Sequence, residues 1–359
     1  MSYLVTSEAT GYNLGVGRNP GPHEYSGNIF AAIQGDYAIE IWKSSDGISW
    51  THVGSGSEIA IPMNAFDTVR IGNSLAFITT NESNELGVLT FDLESEAWGS
   101  ANWGSIVLGA TAVMAAARPD GSLIVLYARQ DETYSYVTYV TYSGGSWGTP
   151  TDIFAPELHY LNPVSICIDQ ASGMAHAFVV YANLSELLHQ SIASNGALGS
   201  IQTISTVASP YPSPQSAIVD GIVYMPYNEP GEGVGAVHIV SGTASDANPT
   251  WVDNELWTGD GNYLRDFIVA FDADGATVSW TLCDQTTTTV YKSSLASGWV
   301  VETLLSTTDV GDTVEAFGAY VNSQFAMLSV TWVGPTDEYS VYVLASGAPV
   351  ARTGRWYAY

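Results

Sequence analysis

Positive charge is what this chain has least of: nine Lys and Arg stand against 36 Asp and Glu, a formal net charge of −27 over 359 residues. Affinity for nucleic acid or anionic lipid normally comes from clustered cations, so this balance excludes both as partners. The acidity reads as solubility and resistance to self-association; a salt-rich setting, divalent cations or a basic partner surface are the sharper readings. Cysteine is almost absent. Cys167 and Cys283 lie far apart inside apolar runs, where a free thiol packs as a small hydrophobe, and they make no disulfide framework. No apolar run approaches the ~18 residues that span a bilayer. The start, Met1-Ser2-Tyr3-Leu4-Val5-Thr6-Ser7-Glu8, has no basic n-region or long apolar h-region, so a soluble chain of cytoplasmic synthesis without a signal peptide is expected. No segment carries a helical period with caps.

What is present is a repeat. With 46% apolar and 13% charged residues the chain can bury a core. The unit is cleanest from Ala112 to Phe154. There Ala112-Val113-Met114-Ala115-Ala116-Ala117 meets the turn Arg118-Pro119-Asp120-Gly121, followed by Ser122-Leu123-Ile124-Val125-Leu126-Tyr127-Ala128. Tyr134 to Tyr142, the turn Ser143-Gly144-Gly145 and Ser146-Trp147 complete it. Runs of small, β-branched and aromatic residues closed by Asp-Gly or Gly-Gly are consecutive antiparallel hairpins, here strands A to D of one four-stranded blade. The order recurs from Ser165 to Gly196 and from Ile268 to Trp299, and more loosely at Thr68 to Trp103, Ser216 to Trp257 and Thr313 to Tyr359. A seventh copy, Asn28 to Val53, lacks an obvious A strand; Tyr3-Leu4-Val5-Thr6 of the N-terminal arm is the candidate.

The C–D turns at Gly47, Ser95, Gly145, Gly196, about Asp246, Gly298 and Gly347 keep a period of roughly fifty residues. The expected fold is therefore an all-β, seven-bladed β-propeller of four-stranded antiparallel blades in a single domain, 1–359; six or eight blades fit less well. Approximate blades are 23–60, 64–105, 110–155, 160–207, 212–258, 262–308 and 311–359, after an N-terminal arm 1–22. Such a ring must close to hide blade faces and strand edges. The arm could lend its strand to the first or the last blade, while Trp356-Tyr357-Ala358-Tyr359 finishes or flanks the final one. Gly11 to Pro22 reads as a bridging loop.

Ser44-Ser45-Asp46-Gly47-Ile48-Ser49-Trp50 falls at a C–D turn and resembles the Asp-box of sialidase-like propellers. The resemblance implies a folding element of Ser44, Asp46, Gly47 and Trp50, in which the Asp caps the turn and the Trp packs between blades. It also implies, for a catalytic member, an arginine triad with a Tyr–Glu nucleophile pair and an Asp acid/base. Of seven arginines only Arg70, Arg118 and Arg265 lie near inner strands, and these are the triad candidates. The family's Phe/Tyr-Arg-Ile-Pro signature is absent, and its blades usually number six. An alternative role for each Arg is pairing with one of the many carboxylates.

Other constellations are weaker. Asp169, Asp266, Asp284, Glu315 and Glu40 could supply paired carboxylates, but 36 acids guarantee candidates. Asp272-Ala273-Asp274-Gly275 and Arg118-Pro119-Asp120-Gly121 are weak calcium candidates, Asp272 and Asp274 above all, that hairpin turn chemistry explains as well. Six histidines are scattered; His176 and His189, on neighbouring strands, are the one pair worth considering for zinc. No motif calls for a nucleotide, and no cofactor or metal is expected. The Trp that recurs at strand D (Trp50, Trp98, Trp147, Trp251, Trp299) should pack between blades. Tyr134, Tyr136, Tyr139, Trp356 and Tyr357 are candidate exposed binding aromatics.

Few lysines, many Ser, Thr, Gly and Tyr, and compact β repeats resemble phage virion proteins in composition. The main expectation is a non-enzymatic structural or binding module of a virion, such as a tail, fibre or capsid-decorating protein. It would sit in a virion or extracellular assembly and contact other assembly proteins or a cell-surface glycan, with homo-oligomerisation open. The alternative is a sialidase-like or other glycan-cleaving glycoside hydrolase.

Overall fold

The computed structural model describes residues 2–10, 23–34, 39–46, 49–55, 67–80, 85–107, 113–130, 135–154, 161–181, 186–206, 216–229, 235–259, 264–272, 275–283, 288–307, 313–321, 324–332 and 338–345. Strand β1 (Ser2–Thr10) comes first but does not pair with its neighbour in sequence, β2 (His23–Tyr25). Instead β2, β3 (Asn28–Gln34), β4 (Ile39–Ser44) and β5 (Thr51–Ser55) form the first sheet in that order. β6 (Asp67–Ile71), β7 (Ser74–Thr80) and β8 (Glu85–Asp92), with β9 (Ala97–Trp98) and β10 (Asn102–Val107) beside β8, form the second. β11 (Val113–Ala117), β12 (Leu123–Gln130) and β13 (Ser135–Ser143), with β14 (Ser146–Trp147) and β15 (Thr151–Asp152), form the third. The fourth holds β16 (Leu161–Ile168), β17 (Ala175–Tyr181), β18 (Glu186–Ile192) and β19 (Gln202–Ser205). The fifth holds β20 (Ala217–Val219), β21 (Ile222–Glu229), β22 (Gly235–Thr243) and β23 (Val252–Gly259). The sixth holds β24 (Leu264–Asp272), β25 (Gly275–Cys283), β26 (Thr288–Ser294) and β27 (Val301–Thr307).

In the seventh sheet β28 (Thr313–Val321), β29 (Gln324–Trp332) and β30 (Glu338–Ala345) run in order, and the fourth place is taken by β1, antiparallel to β30 from Ser2↔Leu344 to Thr10↔Glu338. The N-terminal strand thus completes the last sheet. The first sheet finds its own first strand in β2, paired His23↔Phe30 to Tyr25↔Asn28 across a Ser26-Gly27 turn whose φ values, 51° and 76°, suit a tight hairpin. So Tyr3-Leu4-Val5-Thr6 is not the missing strand of the first repeat. Gly11 to Pro22 and Trp356 to Tyr359 lie outside the described residues.

The architecture is all-β and antiparallel, and a single 3-10 turn, Leu295–Ser297, is its one helical element among the described residues. Two compact units are present. One, Ala60–Asn262, carries the second to fifth sheets; the other, Met1–Ile59 with Tyr263–Tyr359, carries the first, sixth and seventh.

Second strands are central and covered on both faces, which is why they read as unbroken apolar runs rather than alternating ones: every residue of β17 is buried. In the unit of four sheets the core is continuous from sheet to sheet, with Val69, Ile78 and Val88 packing on Val113, Val125 and Val140. A second cluster joins Leu126, Phe178 and Met225. First strands are cross-linked as well: Asp67 Oδ2 accepts from Ala115 N–H at 2.6 Å, and the Ser165 and Ser216 hydroxyls lie 2.7 Å apart. Trp147 rests on Gly104 of the preceding sheet, where an added Cβ would stand 2.7 Å from the indole, and Trp251 meets Phe178 of its preceding sheet edge-on at 5.7 Å.

One device recurs that the sequence pattern does not announce. In the first, fourth, fifth and sixth sheets the pairing of third with fourth strand skips one residue of the fourth, Val53, Ile204, Leu256 and Leu304 respectively. Such a bulge bends the outer strand and re-aims the side chains beside it.

Candidate functional site

Alternate residues of a strand share a face, and directly paired residues of neighbouring strands do too. In the fifth sheet Tyr227 pairs with His238, and His238 with Glu255, while Asp253 pairs with Val240 two positions along from His238. Tyr227, Glu229, His238, Asp253 and Glu255 therefore stand on one face, next to the bulge at Leu256. The Tyr227 and His238 rings stack, centroids 4.8 Å apart and 11° from parallel. Tyr227 Oη donates to Asp253 Oδ2 at 2.9 Å. His238 Nδ1 lies 3.4 Å from Asp253 Oδ1, and its Nε2 lies 3.6 Å from Glu229 Oε2. The imidazole side chain is 11% exposed, whereas the two carboxylate side chains are 46% and 42% exposed. An aromatic pair is thus sunk in the sheet face, with its acidic ends in water.

Burial pulls the His238 pKa down, but the facing Asp253 carboxylate and the charges of Glu229 and Glu255 outweigh it, so the net shift is upward. Burial raises Asp253, yet the Tyr227 hydrogen bond and the facing His238 ring leave it below the usual carboxylate value. Tyr227 is pushed well above the usual phenol range, by burial first and then by Asp253 and Glu229, against a lowering Ser205 hydrogen bond. The result is a histidine of raised pKa between two carboxylates beside a neutral phenol, a set able to deliver and receive protons.

The residues singled out by sequence lie elsewhere. Arg70 is exposed at the turn end of β6, where its Nε donates to Gly72 O at 3.1 Å. Arg118 follows β11 at the corresponding turn, and its Nη2 donates to Ala193 O at 3.2 Å. Arg265 is the second residue of β24, at the opposite end of a first strand, and its side chain is outside the described part of the structure. In the Ser44–Trp50 turn, Asp46 Oδ1 accepts from Ser49 N–H at 2.8 Å and from Ser44 Oγ at 3.0 Å, a carboxylate cap; Gly47 is outside the described residues. Trp50 is half-buried. Tyr139 is corrected: only 8% exposed, it packs in the core and its hydroxyl points at Gly196 O, because its strand is covered on both faces. Tyr136 is half-buried, and Tyr134, Trp356 and Tyr357 lie outside the described residues, as do Asp274 and the side chain of Asp272.

Asp120 accepts from Ser122 N–H and Oγ at 2.9 and 2.6 Å, and Asp169 from Ala171 N–H and from Ser172 N–H and Oγ, so both carboxylates cap turns. Glu40 accepts from the Trp42 indole at 3.1 Å. His176 and His189 do come together, with Nδ1 and Nε2 2.9 Å apart, but among the described residues no third His, Cys, Asp or Glu joins them as a metal ligand. Cys167 is a buried free thiol, raised to about 12 by burial. Sequence reasoning missed Tyr227, Glu229, His238 and Asp253. The loop between Tyr227 and His238 leaves their register open in the sequence, and the bulge that brings Asp253 in leaves no compositional trace.

No family model matches the chain, and no curated protein does. Solved structures do resemble it. Polysaccharide lyase Uly1 is 9% identical, with TM-score 0.56 over 96% of this chain and 98% of that one. An ulvan lyase bound to -[GlcA(1-4)Rha3S]- is 11% identical, with TM-score 0.61 over 96% and 95%. Phage phi92 endosialidase is 11% identical, with TM-score 0.55 over 100% of this chain and 71% of that one. At these identities the likeness carries fold alone, and the fold is a β-propeller.

Proposed function

We propose that this chain is a glycan-acting β-propeller, its seven sheets the blades of one ring, in which the Tyr227–His238–Asp253–Glu229 face supplies acid–base chemistry. The observation that carries the reading is the His238 imidazole held between two carboxylates that reach solvent. Its pKa raised by the carboxylates around it, His238 is the acid that hands a proton to a glycosidic oxygen. Glu229 is the exposed carboxylate that faces the developing positive charge or takes a proton from water. Asp253, accepting from Tyr227 and facing His238, positions the imidazole. The likeness to polysaccharide lyases and to an endosialidase supports the glycan class and moves weight from the non-enzymatic reading toward cleavage.

The test is a panel of neutral, uronate-bearing and sialic-acid-bearing polysaccharides, assayed for reducing-end release and for ultraviolet absorbance of an unsaturated product, which separates hydrolysis from elimination. Release from at least one polymer, lowered about 10²-fold or more in His238→Gln, is expected. No release and no retention on any polymer removes the proposal. A second reading, a virion component contacting assembly proteins or a surface glycan, is favoured by the likeness to a phage endosialidase along the whole of this chain. Failure to associate with virion parts, host cells or glycans would count against it.

A further inference from the structure

Deep in the fourth sheet, His176 on β17 and His189 on β18 are both wholly buried, their rings stacked at 5.2 Å. Their four ring nitrogens form a row with three links. His176 Nε2 meets Ala244 O at 2.9 Å, His176 Nδ1 meets His189 Nε2 at 2.9 Å, and His189 Nδ1 meets Gln202 Oε1 at 3.1 Å. Both ends of the row are oxygen acceptors. Ala244 O is a carbonyl. The Gln202 amide is oriented on two sides, since its Oε1 accepts from the Trp251 indole N–H at 3.1 Å and its Nε2 donates to Pro249 O at 3.0 Å. Turning it over would set NH₂ against N–H and oxygen against oxygen.

The proton count decides the matter. Two neutral imidazoles bring two N–H groups to three links, so one link must hold two lone pairs face to face at hydrogen-bonding distance. A third proton satisfies all three. We propose that the His176–His189 pair is a buried site for one proton, held as a shared bis-imidazole cation that ties the fourth sheet to the Ala244–Trp251 turn of the fifth.

The charged and titratable groups around it favour one proton and oppose two. Asp169, in the first turn of the same sheet, and Asp246, in the turn beyond Ala244, both act on His176 in favour of the cation. Cys167, the β16 partner of His176, stays a thiol. Phe178 and Trp251 enclose His189, and β19 offers only Gln202. Burial is the larger influence on both rings. It lowers His176, and together with the His176 charge it lowers His189 to about 3, so uptake begins below the ordinary histidine value of 6.5 and a second proton is refused.

The sign for stability is fixed by this. Above 6.5 neither state holds the extra proton, and as pH falls below it the unfolded chain binds two protons where the folded chain binds at most one. Acid therefore lowers folding stability through this pair, but at half the slope once the folded pair has taken its proton and closed its third link.

Imidazole-¹⁵N-labelled full-length protein, titrated from about pH 7.5 downward by long-range ¹H–¹⁵N spectra, reads the proton count directly. The expected result is three protonated nitrogens on the pair in acid while the protein is still folded. His189→Gln, which can donate and accept without charge, should abolish that uptake. Gln202→Glu, which places a charge against His189 Nδ1, should move it to higher pH, and serves if His189→Gln does not fold. One proton per ring down to acid unfolding overturns the proposal, as does uptake that neither substitution moves.

Discussion

Both nitrogens of His238 face carboxylates, so its protonation is tied to the fold itself. A raised histidine contributes stability fully present below the ordinary value of 6.5 and lost as pH rises through the folded value. A lowered Asp253 contributes stability present above 3.8 and lost as pH falls through its own folded value. The cluster therefore stabilises most between the two. Comparing thermal unfolding of the protein with His238→Gln should show the largest difference at weakly acid pH, shrinking on both sides; a flat difference would remove the assignment. Tyr227→Phe keeps the stack and deletes the bond to Asp253, so it should leave the carboxylates' hold on His238 nearly intact while costing stability of about 1 kcal/mol.

At this scale the sequence was partly readable. Asp46 in Ser44–Trp50 was legible as a turn cap because the motif is local, with Ser44 and Ser49 lying within three residues of it. Tyr139 was not readable: an aromatic on a strand buried on both faces has the same neighbours in sequence as one on an exposed face.

Elements show the same division. The hairpin at Gly144-Gly145 was legible because its φ values, 56° and 79°, demand residues that tolerate the left-handed region. The fourth-strand bulges were not, because one skipped residue in a short, weakly apolar strand looks like irregularity. Close approaches of strands were also hidden. Gly199 donates its N–H to Ser191 O at 3.0 Å and sits where an added Cβ would lie 2.5 Å from Ala247 O, a backbone atom of the next sheet that cannot swing aside. Gly121 has open space around it, and only its φ of 80° resists a side chain. Gly199→Ala should therefore cost about 1–3 kcal/mol and exceed Gly121→Ala. Denaturant midpoints of the two variants check the order, and the reverse order would mean that the fourth and fifth sheets yield at that contact.

For the molecule as a whole, the repeat period foretold seven groups of strands, but not how the terminal strand is used. The unpaired edges of the first and last repeats were equivalent candidates until β2 was seen to fill one of them. With β1 on β30, removal of Ser2–Thr10 exposes the backbone donors and acceptors of β30 along Glu338–Ala345. The truncated protein should unfold at lower temperature and associate on a sizing column, and a peptide of Ser2–Thr10 added in excess should reverse both. A truncated chain as stable as the parent would mean that β1 contributes nothing to the seventh sheet. Charge acts at the same scale. A field from −27 repels a polyanionic glycan, and of the described arginines Arg70 and Arg118 each already donate to a backbone carbonyl. Screening shortens the reach of that field, from about 30 Å at 0.01 M salt to about 8 Å at 0.15 M. Binding or cleavage of uronate- or sialate-bearing polymers should therefore improve as salt is raised across this range, while action on neutral glycans stays level. Titrating salt against activity on both kinds of polymer distinguishes them. If anionic polymers lose affinity with salt instead, a cationic patch outside the described residues governs recognition, and the substrate is an acidic glycan despite the balance of the whole chain.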